Sequence, residues 1–401
     1  MAERVISPTG RGFLLLDSHP AGCERTVADM RAQVPPNPAG LPGQRPVALV
    51  IGSSSGYGLA ATVAGLVRYG VNGVGIAFEK APGRRTATAG WYRTIATAGL
   101  AAELGNDVTF VNGDAFADTT KDEVIDHIAK RFGGLDYLIY SVAAPRRADP
   151  RNGQTYQSVI KTLGHPTTTR TLEFDSDGTP VLRDITVEPA TEEETAGTVA
   201  VMGGEDWARW ITALAERGLL RDGFATVALT YIGSSLTSAI YRDGTIGAAK
   251  AHLEGTALDL SGQLAAVGGR ALTSVNGAAV TQASTAIPGI ALYVSLLRAT
   301  IGDRLQSPIE QSVHLWDQLT GAAPLDLDPE GRIRLDRWEL LPEVQADVAQ
   351  RWESATTETI GSVADVDWFR AQFRALYGFD VPGVDYTQPA DPDLPWPGSN
   401  P

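Results

Sequence analysis

The stretch PVALVIGSSSGYGLA, residues 46–60, decides the fold of this chain. Residues 46–51 are a continuous apolar run of strand length, which is typical of a strand buried on both faces of a parallel sheet. The Gly-x3-Gly-x-Gly spacing from Gly52 to Gly58 is a variant of the dinucleotide-binding fingerprint. Its glycines permit a tight turn close to a pyrophosphate, and a helix predicted from Leu59 would direct free amides at the phosphates. A plain Gly/Ser turn is the alternative interpretation.

The same alternation of strand and helix recurs along the chain. Apolar runs predict further strands, and helical periodicity predicts the segments between them: strands Val74–Phe78, Val108–Val111, Leu135–Tyr140, Ala225–Thr230 and Ala271–Val275, and helices Ala89–Leu104, Thr120–Phe132 and Gly247–Val267. Strands that alternate with helices indicate βαβ units. We therefore expect an α/β fold with a doubly wound parallel sheet of the Rossmann type.

The length of 401 residues is interpreted as one elaborated Rossmann domain. Its expected parts are an N-terminal segment (1–44), a nucleotide-binding core (45–145 and 221–302), a substrate-side insertion (146–220) and a helical C-terminal region with a Pro-rich tail (303–401). Within the insertion, alternating residues around Asp177-Gly178 predict a hairpin, and helices follow it.

Composition excludes several classes of protein. The chain has 33 Lys+Arg against 47 Asp+Glu, a formal net charge of −14, and such an acidic surface repels nucleic acid. The single cysteine, Cys23, excludes an internal disulfide framework and a thiolate-rich metal site, and we expect no metal. The apolar runs are too short for a signal peptide or a membrane span, so we expect a cytoplasmic protein with no membrane association.

Two residues at the end of the second predicted strand support a dinucleotide. At Phe78-Glu79, an acidic side chain would accept hydrogen bonds from the adenosine ribose and repel the 2′-phosphate of NADP. This favours NAD, although Arg84 and Arg85 could hold a 2′-phosphate, and Glu79 could simply pair with Lys80 at the surface.

The next two predicted strands end in short pairs of residues. Asp114-Ala115 follows the third strand and Val142-Ala143 follows the fourth. Ligands of open α/β sheets bind at these carboxyl ends, so both pairs are candidate contacts to the cofactor. Each pair could equally consist of ordinary loop residues.

A Tyr–Lys pair follows the strand predicted at Ala225–Thr230. A reductase that acts on a carbonyl or an enone needs a proton donor at the oxygen that becomes negative, and tyrosine with a nearby cation can supply it. Tyr241 and Lys250 have eight residues between them, and Lys250 is expected in the first turn of the next helix. The alternative is a core aromatic residue and a solvated lysine.

At this point the chain resembles the FabV/TER family of NADH-dependent trans-2-enoyl-ACP and enoyl-CoA reductases, enlarged relatives of the short-chain dehydrogenases with a Tyr-x8-Lys spacing. The resemblance rests on strings in order along nearly the whole chain, among them IGSSSGYGLA (51–60), NGDAF (112–116), VMGGEDW (201–207) and RLDRWEL (334–340). It implies reduction of a trans-2-enoyl thioester carried by CoA or acyl carrier protein, by a monomeric enzyme of fatty-acid or specialised acyl biosynthesis.

The resemblance also implies roles for single residues. Tyr241 resembles the proton donor, Lys250 the residue that holds the cofactor ribose and supports the tyrosine, and Tyr231 the tyrosine that contacts the substrate carbonyl. The residues that resemble the family's NAD contacts are Gly52, Ser53, Ser54, Ser55, Gly56, Tyr57, Phe78, Glu79, Asp114, Ala115, Val142, Ala143, Lys250, Ala279, Val280 and Thr281. The stretch 282–288 resembles the start of a helix that covers the substrate.

The chain departs from the family beside Tyr241. Bulky residues, often Trp-Pro before the tyrosine and Trp-His after it, are replaced by Ser238-Ala239 and Arg242-Asp243. Either the pocket mouth is opened and its charge altered, or these side chains point to solvent. Other hypotheses are a ketone or aldehyde reductase with the same Tyr–Lys pair and a non-catalytic NAD sensor.

Two further groups of residues are interpreted from their positions. Arg146, Arg147 and Arg151 could form a basic patch for an acidic carrier protein or the solvated face of a loop. Cys23, Trp207 and Trp210 are expected in the core.

Overall fold

The structure is a computed structural model that describes residues 3–175 and 177–398. Its strands are β1 (Gly10–Arg11), β2 (Leu14–Leu15), β3 (Val47–Ile51), β4 (Asn72–Ala77), β5 (Val108–Asn112), β6 (Leu135–Tyr140), β7 (Arg146–Ala148), β8 (Thr155–Gln157), β9 (Thr167–Phe174), β10 (Pro180–Val187), β11 (Leu220–Thr230), β12 (Arg270–Val275) and β13 (Ile333–Arg334). Its α-helices are α1 (Pro20–Gln33), α2 (Gly56–Ala64), α3 (Ala89–Glu103), α4 (Asp118–Arg131), α5 (Glu192–Met202), α6 (Glu205–Glu216), α7 (Thr245–Leu264), α8 (Ile290–Ile301), α9 (Pro308–Leu319), α10 (Pro342–Ser354), α11 (Ile360–Val363) and α12 (Val366–Ala375).

Seven strands form the main sheet in the order β13-β12-β11-β6-β3-β4-β5, and every neighbouring pair is parallel. The chain winds from β3 to one edge through β4 and β5, then crosses to the other side at β6. The expected doubly wound α/β fold is therefore confirmed. The crossing point between β3 and β6 is where such sheets open a crevice for a ligand.

Helices cover both faces of this sheet. Apolar residues of α4, α6 and α7 pack on one face, and those of α1, α2, α3 and α9 pack on the other. All five residues of β3 are buried, as its continuous apolar run predicts. Trp207 and Trp210 of α6 are fully buried beneath the sheet, and Cys23 is fully buried in α1, so all three expected core residues are confirmed.

The predicted hairpin is formed by β9 and β10, which pair antiparallel from Thr167 opposite Val187 to Phe174 opposite Pro180. Gly178 turns the chain with a φ of 84°. The hairpin packs against the C-terminal helices, since the Arg170 guanidinium donates to the carbonyls of Trp352 and Ala355 at 3.0 and 2.7 Å. The insertion and the C-terminal region therefore share an interface.

Some predicted boundaries are wrong. Helix α2 begins at Gly56 rather than Leu59. Glycine has no side chain, so a helix that starts on glycine shows no apolar periodicity in its first turn. Strand β4 ends at Ala77, which leaves Phe78 outside the sheet. Helix α7 begins at Thr245, so Lys250 lies in its second turn and not in the first.

The C-terminal region adds the two-residue edge strand β13, which the sequence pattern did not predict. Helix α8 lies in an apolar cluster together with residues of α10 and α12, beside Tyr241. No helix in the ranges 3–175 and 177–398 is long and apolar enough to cross a membrane.

Candidate active site

The glycine loop after β3 has the geometry that its spacing predicts. Gly52 has a φ of 88°, and a Cβ there would lie 2.0 Å from the carbonyl oxygen of Ser141. A Cβ on Gly58 would lie 2.0 Å from the carbonyl oxygen of Gly52, so that glycine lets α2 pack against the strand end. The loop therefore requires glycine where the fingerprint has it, which favours the nucleotide-binding interpretation over a plain turn.

The start of α2 offers its amides to a ligand. Ser55 occupies the N-cap position in extended conformation, and no side chain caps the helix there. Gly56 has a φ of 53° and lies opposite Thr281, whose side chain would be 3.6 Å from a Cβ on that glycine. An uncapped helix start directly after a strand fits the phosphates of a dinucleotide.

Glu79 is held at the carboxyl end of β4. Ser54 Oγ donates to its carboxylate at 2.6 Å, and the Thr88 hydroxyl, at the N-cap of α3, donates to its other oxygen. Glu79 forms no ion pair with Lys80 in the described part of the chain. Its half-buried position between the glycine loop and α3 fits an acceptor for ribose hydroxyls, and the neighbouring Phe78 is 77% exposed.

Arg84 and Arg85, the candidate 2′-phosphate ligands, are exposed in the loop before α3.

The pairs after β5 and β6 lie at the same edge of the sheet as the glycine loop. The carbonyl of Ala115 is fixed by Lys121 Nζ at 2.6 Å and by Trp210 Nε1 at 3.2 Å. Asp114 turns the chain by accepting from the Phe116 amide at 3.0 Å. Val142 is half-buried and Ala143 is exposed.

On the opposite side of the loop, the residues after β12 approach α2. The Tyr57 hydroxyl donates to the carbonyl oxygen of Gly277. The Thr281 amide and Ser284 Oγ are joined at 2.8 Å in a short turn, and Ala279 and Val280 lie between these anchors. The stretch 282–288 lies before helix α8 rather than in it. A 3₁₀ turn occupies Ser284–Ala286, and α8 begins at Ile290.

The predicted tyrosines come together after β11. The rings of Tyr231 and Tyr241 meet edge to face with centroids 5.2 Å apart. Lys250 reaches the same strand end, where its Nζ donates to the carbonyl of Leu229 at 3.4 Å. Lys250 is only 6% exposed, so it is not the solvated lysine of the alternative interpretation. Tyr241 is 7% exposed, which both interpretations allow.

Burial sets the protonation of these groups. It raises the pKa of Tyr241 far above its usual range, while the charge of the nearby Arg242 lowers that pKa by a smaller amount. Burial also lowers the pKa of Lys250 to about 8, although the Glu254 carboxylate four residues further along α7 opposes this. At neutral pH the phenol therefore keeps its proton and the amine remains mostly a cation.

Two buried polar atoms lack a partner beside Lys250. The hydroxyl of Thr230 and the amide oxygen of Asn276 lie at the carboxyl ends of β11 and β12, and neither forms a hydrogen bond within the described chain. Buried polar atoms are normally paired, so these two suit a polar ligand at this edge. The glycine loop, Glu79, Lys250 and these atoms together fit a nicotinamide dinucleotide.

The replacements around Tyr241 have mixed outcomes. Ala239 and Asp243 are exposed, as the solvent-facing alternative predicts, and Ser238 is half-buried. Arg242 instead forms a two-pronged ion pair with Glu254 at 2.9 and 3.1 Å. The positive charge of Arg242 is therefore balanced by the Glu254 carboxylate of α7.

The basic-patch hypothesis fails for Arg147, as does the solvated-face alternative. Arg147 is 1% exposed and donates to the Ala200 carbonyl and to Glu205, both at 2.8 Å. Arg151 pairs with Asp149 at 3.0 Å. Of the three arginines only Arg146 is exposed without a carboxylate partner among the described residues.

Sequence reasoning missed a group of residues behind Tyr231. Glu339, which follows β13, is fully buried and accepts from the hydroxyls of Tyr231 at 3.0 Å and Tyr293 at 2.7 Å. Gln345 of α10 donates to Tyr293 Oη at 3.1 Å. Glu339 stands in the string RLDRWEL, but nothing in that string indicates a partner 108 residues earlier.

Family models match almost the whole chain. The model described as NAD(P)H binding domain of trans-2-enoyl-CoA reductase matches residues 5–84, and Trans-2-enoyl-CoA reductase catalytic region matches residues 85–320. Enoyl reductase FAD binding domain matches residues 327–390.

Relatives of similar length carry related names. Enoyl-[acyl-carrier-protein] reductase [NADH] of Streptomyces avermitilis is 70% identical over 394 residues, which cover 98% of this chain and 100% of the relative. A protein of the same name from Burkholderia lata is 44% identical over 98% of each chain.

Solved structures agree with the fold. The Treponema denticola trans-2-enoyl-CoA reductase in complex with NAD has a TM-score of 0.87 at 37% identity, over 96% of this chain and 98% of that one. The Clostridium acetobutulicum trans-2-enoyl-CoA reductase in complex with NADH has a TM-score of 0.90 at 34% identity, over 97% of this chain and 98% of that one.

The flavin named by the third family model does not fit residues 327–390. A dinucleotide is bound where a strand, a glycine loop and a helix follow one another. In this segment the only strand is β13, and it is followed by a short turn to the buried Glu339 rather than by a glycine loop. Glu339 already accepts hydrogen bonds from protein groups, so the segment contributes to the tyrosine site instead.

Proposed function

This chain belongs to the trans-2-enoyl-CoA reductase family, and from that premise we propose that Tyr241, Tyr231 and Lys250 carry out its reaction. The protein is an NADH-dependent enoyl thioester reductase, an oxidoreductase of fatty-acid biosynthesis that acts on a CH–CH group. Bound NADH supplies the hydride that is added to C3 of the trans-2-enoyl group. The residues around it bind, orient and protonate the substrate.

Tyr241 and Tyr231 act on the thioester carbonyl. Negative charge develops on that oxygen as C3 is reduced, and phenols directed at it stabilise the enolate before C2 is protonated. Burial keeps the Tyr241 phenol protonated at neutral pH, so it can donate. The edge-to-face contact at 5.2 Å places the two rings side by side at this strand end.

Lys250 holds the cofactor ribose and supports Tyr241 electrostatically. Its buried ammonium lies at the end of β11 and retains most of its charge at pH 7, with a pKa of about 8. The phosphates fit the uncapped start of α2 between Gly52 and Tyr57, and Glu79 fits the adenosine ribose. Phe78, Asp114, Ala115, Val142, Ala143 and the stretch 279–281 complete the proposed cofactor contacts.

The meeting of the partly buried Tyr231 with the buried Tyr241 and Lys250 at one strand end, beside a glycine loop, carries this proposal. The test is NADH consumption, followed by absorbance, with crotonyl-CoA and with a panel of ketones and aldehydes. We expect turnover of the enoyl thioester alone. Activity restricted to ketones would support a carbonyl reductase instead, and no turnover of any substrate would support an NAD sensor.

Acyl carrier protein is the carrier that we propose. The support is the 70% identity to a relative named as an acyl-carrier-protein reductase. Lys80, Arg84, Arg85 and Arg146 are exposed near the carboxyl edge of the sheet and form no ion pair within the described chain, so they are available to an acidic carrier. Steady-state comparison of one acyl chain on CoA and on carrier protein decides this point, and a higher kcat/KM on CoA would reverse it.

The remaining proposals concern organisation. We propose that the chain acts as a cytoplasmic monomer and forms one elaborated domain with the divisions given above. Size-exclusion chromatography with light scattering measures the mass directly, and the expected value is the 42.4 kDa of one chain.

A further inference from the structure

Glu339 is a buried carboxylate directly behind the substrate tyrosine. Both Tyr231 and Tyr293 donate to its Oε1, at 3.0 and 2.7 Å, while the Ala278 amide donates to Oε2 at 2.5 Å. No lysine, arginine or histidine forms an ion pair with Glu339 among the described residues. A carboxylate with no exposed surface and no cationic partner is expensive to keep ionised.

The arrangement restricts what Tyr231 can do. A phenol has one proton, and when Glu339 is ionised the Tyr231 proton is committed to Oε1. The Tyr231 hydroxyl then has only lone pairs to present to a thioester carbonyl, which is itself an acceptor. It cannot stabilise the enolate oxygen in that state.

Protonation of Glu339 reverses this direction. The carboxylic acid can donate its own proton to Tyr231 Oη, which leaves the phenolic O–H of Tyr231 free to donate to the substrate. Tyr293 is a less suitable recipient, because its oxygen already accepts from Gln345 Nε2 at 3.1 Å and its own proton is directed at Glu339. Ser234 fixes Gln345 in turn by donating to its amide oxygen at 2.6 Å.

We propose that Glu339 is a positioning residue that sets the hydrogen-bond direction of Tyr231, and that its protonated form is the one competent for enoyl reduction. This inference rests on the proposed function of Tyr231. It assigns a role in the reaction to the C-terminal region, which supplies Glu339 and Gln345.

The surroundings place the switch near neutral pH. Burial raises the pKa of Glu339 to about 7, while hydrogen bonds from Tyr293, the Ala278 amide and Tyr231 lower it and the charge of Asp336 raises it. Tyr57 of α2 also faces this carboxylate, and burial keeps that phenol neutral. Asp336 is paired with Arg334 at 2.7 Å, which moderates its charge.

The test is the pH profile of kcat/KM for an enoyl thioester at saturating NADH, from pH 6 to 9. We expect the wild-type value to fall about tenfold per pH unit above the pKa of Glu339. In Glu339→Gln, the amide oxygen can accept from Ala278 and the amide nitrogen donates to Tyr231 at every pH. Relative to wild type, this variant should therefore gain at least about tenfold between pH 6 and pH 8.5.

Lys250 also titrates, with a pKa of about 8. Its effect is common to wild type and Glu339→Gln, so the ratio of the two profiles isolates Glu339. Glu343→Gln, an exposed carboxylate four residues further along, is the matched control and should reproduce the wild-type profile.

Tyr293→Phe is the second variant, and it remains informative if Glu339→Gln does not fold. Loss of the Tyr293 hydrogen bond should raise the pKa of Glu339 and move the alkaline fall to higher pH. If Glu339 had a merely structural role, these substitutions would change stability or the overall rate and leave the shape of the pH profile unchanged. Parallel profiles for wild type, Glu339→Gln and Tyr293→Phe would overturn the inference. Absence of wild-type activity at every pH would instead overturn the proposed function.

Discussion

Tyr231 and Tyr241 meet edge to face at the carboxyl end of β11, with ring centroids 5.2 Å apart and ring planes at 64°. Their surroundings differ. Tyr231 is hydrogen-bonded to Glu339, whereas the Tyr241 hydroxyl forms no hydrogen bond in the described part of the chain. The two phenols are therefore not interchangeable, and Tyr241 has its proton free for the substrate.

Removal of the Tyr241 hydroxyl should greatly lower kcat and leave cofactor binding and ring packing nearly unchanged. For Tyr241→Phe we expect kcat to fall by about 10²–10⁴-fold, the usual contribution of a positioned proton donor. The ring remains, so its packing against Tyr231 and the dissociation constant of NADH should stay near their wild-type values. Stopped-flow turnover and NADH fluorescence titration measure the two quantities.

Tyr156→Phe is a suitable control for Tyr241→Phe, because Tyr156 lies in the insertion and its hydroxyl, among the described residues, accepts a hydrogen bond from Asn152 alone. It should keep the wild-type kcat. If Tyr241→Phe turned over enoyl thioesters at the wild-type rate, Tyr241 would not be the proton donor.

Lys250 should bind the cofactor at a cost to the stability of the cofactor-free protein. Its folded pKa of about 8 lies below the unfolded value near 10.5, so the unfolded chain binds more protons between these pH values. The free energy of unfolding should therefore rise with pH across that window as the burial penalty is relieved. For Lys250→Met we expect a gain of about 3 kcal/mol at pH 7 that vanishes near pH 10.5.

The same variant should bind NADH at least about tenfold more weakly, since the hydrogen bonds from the Lys250 ammonium to the cofactor ribose are lost. Urea unfolding at a series of pH values and NADH titration provide both measurements. Lys130→Met, at a side chain with 81% exposure, should change neither. An identical pH dependence of stability in wild type and Lys250→Met would show that Lys250 is not a destabilising buried cation.

Gly52 should tolerate no side chain. A Cβ would lie 2.0 Å from the Ser141 carbonyl oxygen, and the φ of 88° is unfavourable for alanine. We expect Gly52→Ala to lose NADH binding and about 1–3 kcal/mol of stability. Calorimetry of binding and thermal denaturation measure these effects.

Gly43→Ala provides the comparison for Gly52→Ala, because nothing lies within 4 Å of a Cβ at position 43. That variant should bind NADH normally. Equal affinity of the two variants would mean that the loop after β3 does not approach the cofactor.

The glycine loop and the Tyr–Lys pair could be predicted because their chemistry is local. A strand, its loop and its helix are contiguous between residues 46 and 64, and Tyr241 and Lys250 are nine positions apart in a segment that follows an apolar strand. The helix starts were less predictable. Gly56 and Thr245 begin helices before any apolar period is visible, and Thr245 is held there by hydrogen bonds to Val159 and Lys161 of the insertion, which are distant in sequence.

Glu339 could not be found in this way. Its partners Tyr231 and Tyr293 lie 108 and 46 residues earlier, and only the tertiary packing of α8 against the residues after β13 brings the three together. A glutamate in a segment with several charged neighbours is normally exposed. Burial is a property of the whole fold, and the string RLDRWEL alone does not reveal it.

The burial of Arg147 could not be predicted from the sequence either, and it leads to a final prediction. Its sequence neighbourhood predicts a basic patch or a solvated loop face together with Arg146 and Arg151, but the Arg147 guanidinium lies inside, with Glu205 at 2.8 Å and Asp149 at 3.9 Å. Arg151 also pairs with both carboxylates, so the loss of Arg147 removes their buried cationic partner and leaves this more exposed one. For Arg147→Met we expect a loss of about 2–3 kcal/mol in the free energy of unfolding, measured by urea denaturation.

The activity of Arg147→Met separates the structural role from carrier docking. Because the side chain does not reach the surface, kcat/KM should change by the same factor with an acyl-CoA and with the same acyl group on carrier protein. Arg146→Met is the matched control, since Arg146 is exposed and its loss should leave stability unchanged. A selective loss of activity with carrier protein in Arg147→Met, at unchanged stability, would show that this arginine contacts the carrier after all.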